Sequence, residues 1–186
     1  TYTHFGKQAD VLKHLVLCEA LRNESPHTYV ETNSACAIYD IIQTPELDYG
    51  IYHFLDKADK NKVLNDSLYY KLEKPQVTKG HYLGSPALAM NVLGEQAEKF
   101  VFFDLEQSAL DNVSRYAMQA GLSTSVQVVN ADSQEGVISL LPSLPQGAFL
   151  HIDHYEIDKK GAAGFSYLDV LIKATLAGMK CLMWYG

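Results

Sequence analysis

The stretch Phe100-Val101-Phe102-Phe103-Asp104-Leu105 is apolar at both parities and closes on an acid. A strand with one wet face alternates apolar and polar residues; one covered on both faces does not. Working outward, four further runs read as strands: residues 27–32 (HTYVET), 124–130 (TSVQVVN), 148–153 (AFLHID) and 180–185 (KCLMWY). Helical patterns lie between them. Over residues 7–22, Val11, Leu12, Leu15, Val16 and Leu21 fall on one face. Gly84-Ser85-Pro86 predicts a helix start and a run to about Lys99, because serine is a preferred N-cap and proline suits the first helical position. A helix from about Ser108 to Ala120 stops at Gly121, and another spans about Ser166 to Ala177. Buried strands separated by helices predict an α/β fold, a mostly parallel sheet with helices on both faces, doubly wound because crossovers are right-handed.

The chain has 186 residues, enough for one domain with a real core and too few for two ordinary ones. Residues 38–80 are polar and helical in pattern, punctuated by Pro45, Gly50 and Pro75, and read as an insertion and not a core layer. No apolar stretch reaches the roughly 18 residues of a spanning helix, and the start lacks the order of a secretory signal, so no membrane is expected. Cys18, Cys36 and Cys181 form no CxxC pair, which fits a reducing, cytoplasmic setting. A net charge of −7 argues against a protein that coats nucleic acid. Lys57, Lys60, Lys62, Lys71, Lys74 and Lys79 face only Asp59, Asp66 and Glu73 over the same stretch, a local excess suited to holding nucleic acid or to a solvated helical face.

Doubly wound sheets bind ligands at the carboxyl ends of their strands. Here those ends carry Glu31-Thr32-Asn33-Ser34-Ala35, Asp104, Asp132 and Asp153-His154-Tyr155-Glu156. An acid after the second strand suits the two hydroxyls of a ribose, since a carboxylate accepts both hydrogen bonds. The glycine-rich turn of dinucleotide sites is replaced by Ala35 and Ala37, which resist positive φ, and no P-loop is present. His151, Asp153, His154 and Glu156 could suggest a metal-dependent hydrolase. Strand alternation, however, sets His151 with Asp153 on one face and His154 beyond it, with no second ligand cluster, so no metal is assigned.

Ala9-Asp10-Val11-Leu12-Lys13-His14, the strand Tyr29-Val30-Glu31-Thr32, Tyr82-Leu83-Gly84-Ser85-Pro86 and Trp184-Tyr185 together resemble the bacterial 23S rRNA adenine-N6 methyltransferase family. That family is also described as needed for using external DNA. The likeness runs through most of the chain, and ADVLKH with GSP at this spacing is its most specific part. It implies a Rossmann-like, S-adenosylmethionine-dependent enzyme occupying 1–186 as one domain, with a small helical insertion at about 38–80. The C-terminal helix and antiparallel pair usual in such sheets are not in this sequence.

By motif position the resemblance implies Asp153 as catalytic acid, with Lys13 and Tyr155 beside it. His14, Asn33 (histidine in the family), Ser85, Asp104 and Asp132 would contact the cofactor. RNA, 23S rRNA above all, would be the substrate, with DNA a further partner and the oligomeric state open. Where the family has D-P-P-Y, this chain has Asp153-His154-Tyr155-Glu156, and Ser133 follows Asp132 where the family has glycine. A second reading therefore stands beside the enzyme: a methyltransferase fold that binds nucleic acid or a partner without chemistry.

Overall fold

The computed structural model describes residues 2–185, so the outermost bounds of the expected domain, Thr1 and Gly186, lie outside the described residues. Helix α1 (Gln8–Glu24) leads into β1 (Thr28–Glu31) and β2 (Ile38–Asp40). A helical segment follows: α2 (Pro45–Leu47), a π-helical turn (Asp48–Tyr52), α3 (His53–Asp59), α4 (Lys62–Asn65) and α5 (Leu68–Thr78). The chain continues through β3 (His81–Leu83), α6 (Ser85–Leu93), β4 (Lys99–Asp104), α7 (Gln107–Gln119) and β5 (Val126–Asn130). It ends with α8 (Ser133–Leu140), β6 (Phe149–Asp153), α9 (Tyr167–Leu176) and β7 (Lys180–Trp184). Among the described residues, no helix is long and apolar enough to cross a membrane.

Five strands form one sheet in the order β5-β4-β1-β6-β7, every pair parallel, with β1 central. The chain runs outward from β1 to β4 and β5, then returns to the other side for β6 and β7. Strand order thus reverses between β1 and β6, where a doubly wound sheet opens a crevice at its carboxyl edge.

The non-alternating strands sort their side chains by parity. Tyr29, Phe100, Phe102 and Phe149 face one layer, with Leu17 and Leu21 of α1, Leu88 of α6 and Val113 of α7. Val30, Val101, Phe103, Leu150 and Ile152 face the other, with Val137 of α8 and Val170 of α9. The first face is aromatic: the Tyr29 ring lies 6.3, 6.0 and 6.1 Å from those of Phe100, Phe102 and Phe149. Each such ring buries a large apolar area and adds favourable edge and offset contacts, so this face anchors the sandwich.

Several local expectations are corrected. The helix begun at Ser85 stops at Leu93 and not near Lys99, because Gly94 turns to φ +53° and a 3₁₀ turn follows. Residues 38–80 are not wholly helical. They open with β2, which pairs antiparallel with β3 just beyond them, Ile38 against Leu83 and Asp40 against His81. Nor is the segment peripheral: Leu47, Ile51, Phe54, Ala58 and Tyr69 are buried in the same core as α1 and β1. A helix absent from the sequence reading, α8, follows β5. Its N-cap is Asp132, whose Oδ1 accepts the Gln134 N–H at 2.8 Å.

Gly84 joins β3 to α6 and has a packing reason to be glycine. Its N–H donates to the Ala37 carbonyl at 2.8 Å, and a Cβ built there would lie 2.1 Å from the Cys36 carbonyl oxygen. Gly84→Ala must push two backbone segments apart. The expected loss is about 2 kcal/mol of unfolding free energy, measured by urea denaturation. An unchanged midpoint would show that the β2–β3 pair yields freely.

Candidate active site

The crevice at the strand reversal is a cleft of about 320 Å³ whose lining includes Lys13 and His14 from α1, Asn33 to Ala35 after β1, Ser85 of α6, Asp153 at the end of β6, and His154 and Tyr155 just after it. Six of the eight expected site residues therefore meet in one place: Lys13, His14, Asn33, Ser85, Asp153 and Tyr155. Asp132 lines a second cleft of about 210 Å³, with Gln134, Lys159 and Lys160; Asn33 and His154 border both. Asp104 lies beneath the wall between β1 and β4, and its carboxylate is already engaged. It accepts from the Ala35 N–H at 2.8 Å, the Glu106 N–H at 2.8 Å and the Tyr2 hydroxyl at 3.0 and 3.1 Å.

Lys13 is the central cation. Its Nζ lies 2.7 Å from Asp153 Oδ2 and 3.1 Å from Asp10 Oδ1, and its side chain is only 13% exposed. Asp10 is tied to the start of α1 by accepting the Lys7 N–H at 3.2 Å. Burial alone would lower the Lys13 ammonium, but Asp153 and Asp10 outweigh it and hold it above the usual lysine range. For Asp153 burial acts upward, and the Lys13 ammonium, helped by His151, wins and holds the carboxyl below its usual range. The pair is ionised across neutral pH. Asp153 Oδ1 has no hydrogen-bond partner among the described residues, so one oxygen remains to accept from a ligand.

The loop after β1 carries the strain of the site. Asn33 has φ +49° and Ala35 φ +52°. Asparagine tolerates this region, but alanine does so at a cost of roughly 1–2 kcal/mol. The expectation that alanine here would avoid positive φ is thus corrected at Ala35, which the hydrogen bond to Asp104 holds in place; Ala37 is not left-handed. Ser34, between them, is buried, borders the cleft, and leaves its Oγ without a partner. An orphaned buried hydroxyl costs about 1–3 kcal/mol unless a bound group satisfies it.

Asn33 is committed sideways, exchanging hydrogen bonds with the Tyr167 hydroxyl at 2.9 and 3.1 Å. Tyr167 also bonds Ser133 Oγ at 2.8 Å, and its ring stacks on His154 at 4.6 Å. His154 in turn stacks on Tyr155 at 5.2 Å, and its Nδ1 accepts the Glu156 N–H at 3.1 Å. Tyr155 is 72% exposed at the outer end of this column. Among the described residues, no three His, Cys, Asp or Glu side chains gather as metal ligands. His151 lies inside the sheet beside Tyr29 and Glu31, whereas Asp153 pairs with Lys13, so the H-x-D-H-x-E run disperses.

Sequence reasoning missed Tyr2 and Tyr167, and placed Ser34 at the strand end without giving it a role. Tyr2 lies 102 positions from Asp104 and Tyr167 lies 134 from Asn33, separations that no local pattern encodes. Ser34 could have been singled out as the hydroxyl in a loop otherwise made of small residues.

No protein-family model matches this sequence, and no curated protein matches it. Among solved structures, protein LPL1258 from Legionella pneumophila, of the family DUF519, superposes with a TM-score of 0.74 at 25% identity. It covers 98% of this chain and 69% of its own. An S-adenosylmethionine-dependent methyltransferase from Agrobacterium tumefaciens covers 99% of this chain and 47% of its own, with TM-score 0.51 and 9% identity. The fold is that of the S-adenosylmethionine-dependent methyltransferases. The expected Rossmann-like architecture, a mostly parallel sheet with helices on both faces, holds.

His14 gives the site a pH signature. It is buried, its Nδ1 lies 3.0 Å from the Tyr82 hydroxyl, and burial pushes its imidazole down to about 4. A depressed histidine stabilises the fold in its neutral form, so the contribution is present above pH 6.5 and lost as pH falls toward 4. Over that window the loss is about 3 kcal/mol. His14→Gln, which retains a partner for Tyr82, is expected to show a shallower fall in unfolding free energy between pH 6.5 and 4. Parallel slopes in chemical denaturation would refute the assignment.

Proposed function

We propose that this protein transfers a methyl group from S-adenosylmethionine to the N6 amino group of an adenine in RNA, with 23S rRNA as the substrate to which its sequence motifs point. The observation that carries the reading is the Lys13–Asp153 pair at the strand reversal, with one Asp153 oxygen left open.

The donor set suits the cofactor. Ser34 Oγ needs a partner, and the Lys13 ammonium has a third N–H beyond those used by Asp153 and Asp10; both suit a carboxylate. Asp104 suits a ribose diol that takes the place of the Tyr2 hydroxyl, and the second cleft, with Asp132, continues from the first past Asn33. When bound, S-adenosylmethionine supplies a methyl group on a sulfonium whose sulfur departs as a neutral thioether.

The protein's own task is to prepare the nucleophile. The adenine N6 lone pair is delocalised into the ring. Asp153 Oδ1, accepting one amino hydrogen, helps localise that pair toward the methyl group, and the proton shed by the methylated nitrogen leaves to solvent, while Lys13 on Oδ2 keeps the carboxylate ionised and fixed. Asn33 Nδ2 approaches the Asp153 carbonyl at 3.5 Å and helps fix the backbone there. Preset dipoles and positioning of this kind supply most of the acceleration in such a transfer. Tyr155, exposed at the rim, offers a face on which a base drawn out of its helix can stack.

One observation favours the second reading, binding without chemistry: the Asp104 carboxylate is saturated by protein donors. The lysine-rich stretch supports it less, since Lys60 pairs with Asp56 and Lys74 with Asp59.

Calorimetric titration with S-adenosylhomocysteine separates the two. One-to-one micromolar binding is expected, together with methyl transfer to unmethylated 23S rRNA. Asp153→Asn should lose at least about 100-fold in kcat, roughly the worth of one preset charged group, with S-adenosylhomocysteine affinity within threefold of wild type. A folded protein that binds no S-adenosylhomocysteine would favour the non-catalytic reading, and full transfer by Asp153→Asn would sink the proposed role of the acid.

A further inference from the structure

Glu31, the last residue of β1, is completely buried and takes no part in the chemistry above. Three groups converge on it. The Tyr29 hydroxyl donates to Oε2 at 2.7 Å, the Ser85 hydroxyl donates to Oε1, and His151 Nδ1 lies 3.6 Å from Oε1. His151 Nδ1 is also 3.2 Å from the Tyr29 oxygen. A carboxylate only accepts, so both hydroxyls commit their single proton to it. The Tyr29 oxygen can then only receive from its other neighbour, which sets the proton of His151 on Nδ1.

The consequence reaches the cleft through Ser85, which borders the cleft on one side and touches Glu31 on the other. A hydroxyl has one proton and two lone pairs. With the proton held below by Glu31, only lone pairs remain for a ligand, and a group that sits against Ser85 must be a donor. Ser34 and Lys13 have the opposite character, since each retains a proton to give. The cleft therefore has one wall that donates and, besides the open Asp153 oxygen, an uncharged point at Ser85 that only accepts.

We infer that Glu31 is a positioning residue that fixes Ser85 as a pure acceptor, and that Ser85 so held reads the ammonium of the amino-acid end of the cofactor. This rests on the cleft being an S-adenosylmethionine site.

The test uses two probes: S-adenosylhomocysteine, and its desamino analogue, in which hydrogen replaces the ammonium. Each is titrated calorimetrically into wild type, Ser85→Ala and Glu31→Gln, with folding checked by thermal unfolding. Ser85→Ala should weaken S-adenosylhomocysteine about 10- to 100-fold, the worth of a hydrogen bond to a charged group, and change the analogue by less than threefold. Glu31→Gln should act in the same direction, because the two hydroxyls use different oxygens and the amide nitrogen that replaces one of them donates and cannot accept. Where that variant does not fold, Glu31→Asp withdraws the carboxylate by one methylene and gives the same readout. Equal weakening of both probes by Ser85→Ala, or none, overturns the inference while leaving the cofactor site intact. Glu31 variants that bind like wild type overturn the positioning role. Wild type that binds neither probe overturns the site reading itself, and the inference with it.

Discussion

Everything in this molecule is arranged around the point where the sheet changes direction. β1 pairs with β4 on one side and β6 on the other, yet the chain leaves β1 toward β4 and reaches β6 only later. The two loops at the carboxyl edge must part, and the gap between them is the cleft. The constraint falls hardest on residues 33–35, where two left-handed residues bend the chain away from β6 and expose backbone and small side chains to the opening. Asp104, reached from the neighbouring strand, holds that bend by accepting the Ala35 N–H.

The opening would be weak if it were lined only by loops. It is instead braced by charge and polarity in two layers. The upper layer is the Asp10–Lys13–Asp153 group, which links α1 to the end of β6 across 140 positions of sequence. The lower layer is Glu31 with Tyr29, Ser85 and His151, which locks β1, α6 and β6 together beneath the floor. Buried polar groups of this kind are costly when partly satisfied and rigid when fully satisfied. In the lower layer both Glu31 oxygens are engaged, whereas the upper layer and its neighbour Ser34 retain free capacity. That contrast separates the part that holds shape from the part that meets a ligand.

The layers of the fold were legible because both-parity apolar runs such as Phe100–Phe103 admit no other burial. The acids at the strand ends were legible for the same reason, since a parallel sheet gathers those ends at one edge. What escaped was set by tertiary contact. Helix α8 starts from Asp132, which sequence alone presents as a strand-end acid and not as a cap. The segment from Leu47 to Tyr69 reads as polar because its buried residues are thinly spaced, yet they fill the core beside α1. Glu73 is the extreme case, a fully buried carboxyl that accepts the Leu83 N–H at 3.1 Å inside an outwardly lysine-rich stretch. Burial pushes that carboxyl well above its usual range. Glu31 was visible as an acid at the right strand end, but its inward direction follows from Tyr29 and His151, which only the folded sheet brings beside it.

Trp184, at the end of β7, borders both the main cleft and the apolar hollow beside it formed by Val16, Leu182 and Met183. It is the chain's single tryptophan among twelve tyrosines. Its emission is therefore a private optical channel: excited at the red edge, where tyrosine does not absorb, the protein reports from the rim of the cleft and from nowhere else.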